Sequence, residues 1–360
     1  MSRERGELVF EGFANVWTPV GVAKELRKEP LGVEIAGEKL VLFRDGSGGV
    51  GALVDRCPHR NVALSRGRVD EHGNLECPFH GWSFQKDGAC AHIPLNDIPA
   101  DRRARYGAAA VPAREVGGLL WVFTGPDPRG TEPEPPPALV EPGWHVGFHS
   151  ETWNAHWTRT MENMLDVPHL PFVHGKSIAR DIRKNLRPDG RLQVRIDPAP
   201  FGGRVFSAWY GEPEQAILNW RRPNAMELFI IESPKRRWRL HMYCVPVNRE
   251  RTKMILCSAR TFLGFSFITW LMMRSNNVLS EDRHVIESTD PLEAPPPGDE
   301  LSVPTDGPTL YFRKYYYRDL RGSTSALVPA GRLARKPEGA PEPPSEAADL
   351  PAAAGAVAVH

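Results

Sequence analysis

Between Val9 and Gly125 the chain alternates short apolar bursts with Gly, Pro and Asp: Val33 to Ile35, Leu40 to Phe43, Val50 to Val54 and Leu119 to Phe123. Bursts of this length bounded by turn formers predict a small antiparallel β domain over 9–125. A connector follows over 126–142, with Pro126, Pro128, Pro133, Pro135, Pro136, Pro137 and Pro142, and such a stretch favours an extended spacer over a packed element. The region 143–321 opens with a helical pattern from Asn154 to Asp166. Strand-like runs then come at Val205 to Tyr210, Met226 to Ile231, Trp238 to Pro246 and Met254 to Phe262, and a long helical pattern runs from Phe267 to about Thr289. Strands grouped together and flanked by helices predict an α+β domain built on an antiparallel sheet. From 322 to 360 the chain is rich in Ala, Pro, Gly and Glu, with too little apolar material to repay the entropy of ordering, and a disordered tail is expected.

Length and charge narrow the picture further. A chain of 360 residues suits two domains, each able to bury its own core. Lys plus Arg number 45 against 44 for Asp plus Glu, so no global field gathers nucleic acid or an anionic membrane. The first ten residues carry no apolar run of signal-peptide length, which points to the cytoplasm and to reduced thiols. The five cysteines, odd in number and widely spaced, do not form a disulfide framework. The most apolar stretch, Phe262 to Met273, is interrupted by Gly264, Ser266 and Thr269 and is shorter than the roughly 20 residues a membrane span needs, so it reads as a buried helix. No Gly-rich dinucleotide fingerprint is present.

Chemistry enters at Cys57-Pro58-His59 and, seventeen residues later, Cys77-Pro78-Phe79-His80-Gly81-Trp82. Each arm offers one thiolate and one imidazole. A Rieske [2Fe-2S] centre needs this set, because one iron keeps two thiolates (Cys57, Cys77) and the other takes two neutral nitrogens (His59, His80). A zinc site could use the same atoms, although zinc fingers usually pair Cys with Cys and His with His, whereas both arms here are mixed. Cys90 lies outside both arms and reads as a packed thiol, and Cys244 and Cys257 read as core.

A second constellation begins at Glu162 and includes Asn163, Asp166, His169 and His174. On one ideal helix the two histidines would diverge by about 140°, too far for a shared ion, so a break is required between them. Pro171 is placed to make it, and Pro168 to kink the chain earlier. Two His and one carboxylate form the facial set that binds Fe(II) for O₂ activation. Asp282 is the candidate carboxylate. In the pattern Val278 to Ile286 it shares a face with Val278, Leu279, Val285 and Ile286, where a carboxylate is costly unless it is paired or metal-bound. A buried ion pair is the alternative. Glu281 and Glu287 point away from that face and read as solvated. Asp166 could accept the free N–H of a metal-bound His169, or serve as a helix-end cap or third ligand. Asn163 shares that polar face, with a hydrogen bond inside the helix turn as its plainer role. The other histidines, His72, His92, His145, His149, His156, His241, His284 and His360, read as surface or satisfied core residues.

From about Phe13 to Arg318 these residues resemble the Rieske non-haem iron oxygenases, of the type that includes vanillate and dicamba O-demethylating and pheophorbide a oxygenase-like enzymes. The likeness rests on Cys57 to Trp82, on Gly118-Leu119-Leu120-Trp121-Val122-Phe123, on Glu162 to His174 and on Glu281-Asp282. It implies an all-β Rieske domain followed by a helix-grip-like catalytic domain. It implies that Cys57, His59, Cys77 and His80 hold the cluster and that His169, His174 and Asp282 hold a mononuclear Fe(II). It implies further that Asp166 joins His80 of one subunit to His169 of its neighbour in a ring-shaped homotrimer, and that Asn163 lies near the iron. With no flavin or nicotinamide site recognisable in the chain, electrons would come from a separate reductase or ferredoxin, and O₂ would be used to hydroxylate or oxidatively demethylate a small, aromatic or polycyclic organic substrate. Two rivals are an electron carrier or redox sensor without the catalytic iron, and a zinc-stabilised binding module. Trp209, Trp220, Phe229, Trp238, Tyr243 and Trp270 could line a pocket or simply be core. Lys235-Arg236-Arg237 reads as a solvated turn, with a donor-protein contact as the alternative.

Overall fold

A computed structural model of the chain describes residues 8–184, 186, 189–264 and 278–330. The helical pattern expected from Phe267, including Trp270, lies outside these residues as far as Asn277; its described end is the helix Val278–Ile286. The fold is α+β. Three small antiparallel sheets occupy the N-terminal part, and one seven-stranded antiparallel sheet with a few helices occupies the C-terminal part.

Strand Glu38–Arg44 shows how the N-terminal part is built. Successive side chains of a strand point to opposite faces, and here both faces are buried. Leu40 and Leu42 join the large core of the molecule, while Val41 and Phe43 join a smaller one with Leu53, Cys57, Leu64, Leu75, Cys77 and Phe84. The run Leu-Val-Leu-Phe is continuous because the strand is a wall between two cores. Its sheet has the strand order Ala110–Val111, Val50–Val54, Glu38–Arg44, Leu31–Ile35. A sheet of short strands, Arg68–Val69, Leu75–Glu76, Ser83–Phe84 and Cys90–His92, carries the second Cys-His arm.

The large sheet runs in the order His145–Trp153, Thr252–Arg260, Arg237–Pro246, Ala225–Glu232, Gln215–Arg221, Gly202–Trp209, Leu192–Ala199. One face receives the helices. Trp220 packs edge-on to Tyr311, Phe312 and Tyr315 of helix Gly307–Tyr315, with ring centroids 5.8, 5.9 and 5.1 Å away, and Trp157 meets Phe312 at 5.6 Å. The other face meets the N-terminal sheets. There Tyr243 stands edge-on to Trp121 at 5.6 Å, and a Cβ on Gly118, whose φ is +75°, would come within 2.7 Å of the Phe148 ring. Trp220 and Tyr243 are thus buried structural rings, and Trp238 donates from Nε1 to Ser258 Oγ at 3.0 Å. Arg236 lies just before strand Arg237–Pro246 and over the Phe262 ring, and Arg237 opens the strand over the ring of Trp144.

One difference from the expected organisation has its cause in long-range pairing. The expected tail begins with structure: Ser325–Ala326 pairs antiparallel with Leu8–Val9, and Pro329 bridges to Ala109. Residues 331–360 lie outside the described part. A strand of two residues leaves almost no trace in local composition, because its stability comes from a partner more than 300 positions away. Among the described residues no helix is long and apolar enough to cross a membrane.

Candidate metal centres

The two Cys-His arms fold as copies of one turn. In the first, Cys57 N–H donates to Val62 O at 2.8 Å and Asn61 N–H donates to Cys57 O at 2.9 Å. In the second, Cys77 N–H donates to Trp82 O at 2.8 Å and Gly81 N–H donates to Cys77 O at 3.1 Å. The fifth residue of each turn takes a left-handed backbone, Asn61 at φ +58° and Gly81 at +68°, which suits the residue types found there. Repetition brings the two imidazoles together, with the rings of His59 and His80 4.7 Å apart. Trp82 stacks flat on His59 at 4.6 Å and 2°, and Tyr106 meets Trp82 edge-on at 5.5 Å.

Burial separates the two ligand types. The thiols of Cys57 and Cys77 are buried, whereas His80 and its neighbour Phe79 are exposed. Burial, with the Cys77 thiol beside it, pushes the Cys57 pKa up to about 12, so this sulfur needs a metal to hold it as a thiolate. His59 Nδ1 is buried without a hydrogen-bond partner among the described residues, the state of an atom kept for a metal. Two buried thiols and two neighbouring imidazoles, one of each from either arm, suit a two-iron group. Elsewhere in the described residues a trio of ligand atoms lies within 4.8 Å of one another.

That trio is His169, His174 and Asp282. Helix Trp157–Leu165, buried along its whole length, starts from His156, whose ring accepts the Thr158 N–H, and ends at Asp166, which turns extended. The helix therefore stops before either proline. Pro171 does not break a helix between the histidines, as expected from sequence; it lies in the first turn of a short helix, Leu170–Val173, where its missing N–H costs nothing. His169 precedes that turn and His174 follows it, and their rings come to 5.3 Å.

Asp282 reaches the pair from helix Val278–Ile286, where Leu279, Asp282 and Ile286 are the buried positions. Val285, placed on the same face by periodicity, is 44% exposed. Asp282 Oδ1 stands 3.0 Å from His174 Nε2 and 3.6 Å from His169 Nε2, yet it is aligned as a hydrogen bond with neither. Three ligand atoms converge within 4.8 Å of one another, an arrangement that could hold a cation. The outer nitrogens are held separately. His169 Nδ1 lies 3.2 Å from Asp166 Oδ2, which also accepts the His169 backbone N–H at 3.1 Å.

Glu281 overturns its expected solvated role: its Oε2 lies 2.7 Å from His174 Nδ1 and accepts from Ser177 Oγ at 2.6 Å. Burial disfavours charge on His174, but the Asp282 and Glu281 carboxylates outweigh it and raise its pKa, so the site draws positive charge. Glu287 is likewise engaged, accepting from Asn154 N at 2.7 Å and Arg283 Nε at 2.8 Å. Asn163 Nδ2 is buried with no partner among the described residues. His241, expected to be surface or satisfied core, is core but has no hydrogen-bond partner at either ring nitrogen among the described residues.

Sequence reasoning also missed the charges around helix Trp157–Leu165. Arg159 and Arg313 both pair with Glu162 and with Glu300. Nothing in the local pattern marks Glu162 as buried: Arg159 lies one turn back on the same helix, but Arg313 comes from helix Gly307–Tyr315, and Glu300, which both arginines share, comes from the loop before it.

Residues 16–100 match the Rieske [2Fe-2S] domain, and residues 153–318 match the vanillate O-demethylase oxygenase C-terminal domain. The 5,5'-dehydrodivanillate O-demethylase oxygenase subunit of Sphingobium sp. is 34% identical over 189 residues, which cover 50% of this chain and 43% of that protein. The chloroplastic pheophorbide a oxygenase of Oryza sativa subsp. japonica is 29% identical over 277 residues, 69% of this chain and 50% of that protein. The matched part thus spans about half the length of these curated relatives. Among solved structures, Pseudomonas putida CBB5 NdmA superposes with a TM-score of 0.68 at 28% identity, covering 84% of this chain and 89% of that one. Dicamba monooxygenase bound to dicamba superposes at 0.69 over 86% and 97%, at 21% identity, a likeness of fold.

Proposed function

Since the chain belongs to the Rieske non-haem iron oxygenases, with the Rieske and oxygenase domains joined in one polypeptide, we propose that it is an oxygenase component that hydroxylates or oxidatively demethylates a small aromatic or polycyclic substrate. Electrons would come from a separate reductase or ferredoxin. The observation that carries the reading is the convergence of His169, His174 and Asp282 in the same chain as the two Cys-His arms. An electron carrier has no use for a buried carboxylate facing two imidazoles, so the carrier is the weaker reading.

In this proposal Cys57 and Cys77 hold one cluster iron, His59 and His80 the other, and His169, His174 and Asp282 hold the mononuclear iron. Once bound, the cluster supplies single electrons and the mononuclear iron supplies O₂ activation. The chain's own residues orient and shield. Burial of Cys57 and Cys77 keeps water from the sulfur end, while exposure of His80 leaves an edge open to electron transfer. Asp166 holds the outer nitrogen of His169 and fixes its ring. Asn163 is assigned to the neighbourhood of the iron on the strength of its unpartnered amide. A homotrimer belongs to the same proposal, with His80 of one subunit facing Asp166 and His169 of the next. The exposed apolar side chains Phe79, Phe172 and Ile178, 59, 66 and 57% accessible and close in sequence to these residues, support it. A reducing, cytoplasmic setting belongs to the same proposal, and the buried thiols of Cys244 and Cys257, outside the cluster arms, suit it.

The test is iron-loaded protein given NADH and a surrogate reductase, screened against aromatic, alkaloid and terpenoid compounds for substrate-dependent oxygen uptake and for product mass. Iron should reach about three per chain, two in the cluster and one outside it. About two irons per chain, with no oxygen uptake on any compound, would establish the carrier instead.

A further inference from the structure

Helix Val278–Ile286 presents two consecutive carboxylates to one imidazole ring. Asp282 Oδ1 is 3.0 Å from His174 Nε2, and Glu281 Oε2 is 2.7 Å from Nδ1 of the same ring. An ionised carboxylate only accepts, so the 2.7 Å approach requires the proton on Nδ1. The lone pair is then on Nε2, facing Asp282. Glu281 cannot itself ligate an ion bound at Nε2, because the two ring nitrogens point in divergent directions and it occupies the far one.

The same Glu281 oxygen accepts from Ser177 Oγ at 2.6 Å. Ser177 N–H also donates to His174 O at 2.9 Å, which closes a tight turn behind the ligand. The turn and the helix are thereby tied through one oxygen atom. His169 has a longer version of the same arrangement: Asp166 Oδ2 lies 3.2 Å from Nδ1 and accepts the His169 backbone N–H at 3.1 Å, against 2.7 and 2.6 Å for the two contacts of Glu281 Oε2. Of the two imidazoles, His174 is the more firmly oriented.

We infer that Glu281 is a positioning residue for the mononuclear iron, fixing the tautomer and ring plane of His174, and that Ser177 holds Glu281 in place to do so. The inference rests on the reading of His169, His174 and Asp282 as an iron site. Without Glu281 the ring can adopt the other tautomer or rotate, and the ligand set is no longer preformed. Loss of such an outer carboxylate typically lowers metal affinity by about 10–100-fold.

The test uses full-length protein with its cluster intact and the mononuclear site stripped by mild chelation. Co(II) affinity is measured by equilibrium dialysis against a competing chelator. Proton NMR of the Co(II) protein then reads the exchangeable, paramagnetically shifted imidazole N–H resonances, which a merely structural role would not move. E281A is expected to bind Co(II) about 10–100-fold more weakly and to lose one shifted N–H resonance to solvent exchange. E281Q, which keeps an acceptor but not the charge, should fall between E281A and wild type, and S177A should lose less than E281Q. If E281A binds Co(II) within about twofold of wild type and keeps the resonance, the inference is overturned, while weak binding by H174A and D282A leaves the site assignment standing. Equal binding by wild type, H174A and D282A would instead sink the assignment and the inference together. Should E281A fail to fold, judged by cluster absorbance and near-UV dichroism, E281Q carries the test with the same two outcomes.

Discussion

Replacing Glu162 with Gln removes one negative charge from a buried cluster of four ionised groups. The side chains of Arg159 and Arg313 are each 8% exposed and that of Glu162 11%, while Glu300 sits at the rim at 36%. Glu162 Oε2 lies 3.2 Å from Arg159 Nη1, and Oε1 pairs with Arg313 Nε; Glu300 is 2.8 Å from Arg159 and 2.6 Å from Arg313. Breaking a buried pair from one side typically costs about 3–5 kcal/mol, because a charge is left uncompensated. Glu300 still accepts from both arginines, so the lower figure, about 3 kcal/mol, is expected for E162Q. For a domain of this size that corresponds to a fall in Tm of roughly 6–12 °C. E300Q should cost less, about 1 kcal/mol, since its site is partly screened by water. The triple variant R159M/E162L/R313M, which removes the buried charges altogether, should recover most of the E162Q loss. Urea unfolding followed by far-UV dichroism, at matched iron content, measures all three. An E162Q loss below about 1 kcal/mol, or a triple variant no more stable than E162Q, would refute the view that helix Trp157–Leu165 is anchored through this charge cluster.

Other expectations concern pH, backbone and metal. Burial pushes both His156 and His241 down to about 4, so the folded protein keeps them neutral while an unfolded histidine titrates near 6.5. Stability should therefore be full above about pH 6.5 and fall as pH drops towards 4, by about 2 kcal/mol per histidine at pH 5. Urea titrations at pH 7 and pH 5 should show a smaller difference for H241N than for wild type, and an unchanged difference would contradict this. G118A forces a side chain into a left-handed backbone and against the Phe148 ring 2.7 Å away, and should cost roughly 2–4 kcal/mol. A loss within 0.5 kcal/mol of zero, on the order of an ordinary surface substitution, would mean that the two parts of the molecule do not press together there. D282A should lower iron by about one per chain while sparing the visible absorbance of the cluster; loss of both signals together would argue against two separate centres.

Local chemistry carried much of this protein in its sequence. The two Cys-His arms were legible because their ligands, turns and left-handed residues lie within six positions of one another, as were the strands with continuous apolar runs and the helix that leads to His169. What could not be read were features that exist only when distant segments meet. Pro171 reads as a breaker until its place in the first turn of a helix is known. Glu281 reads as solvated because helical periodicity describes which face is apolar, and a polar partner 107 positions away leaves no mark on that period. The same holds for Glu162, and for Ser325–Ala326, which pair with the other end of the chain. The sequence alone set the inventory of ligands and the local turns that aim them, since those depend on near neighbours. Tertiary structure alone decided which carboxylates stand behind which imidazoles, since buried charges find their partners across the fold and not along the chain.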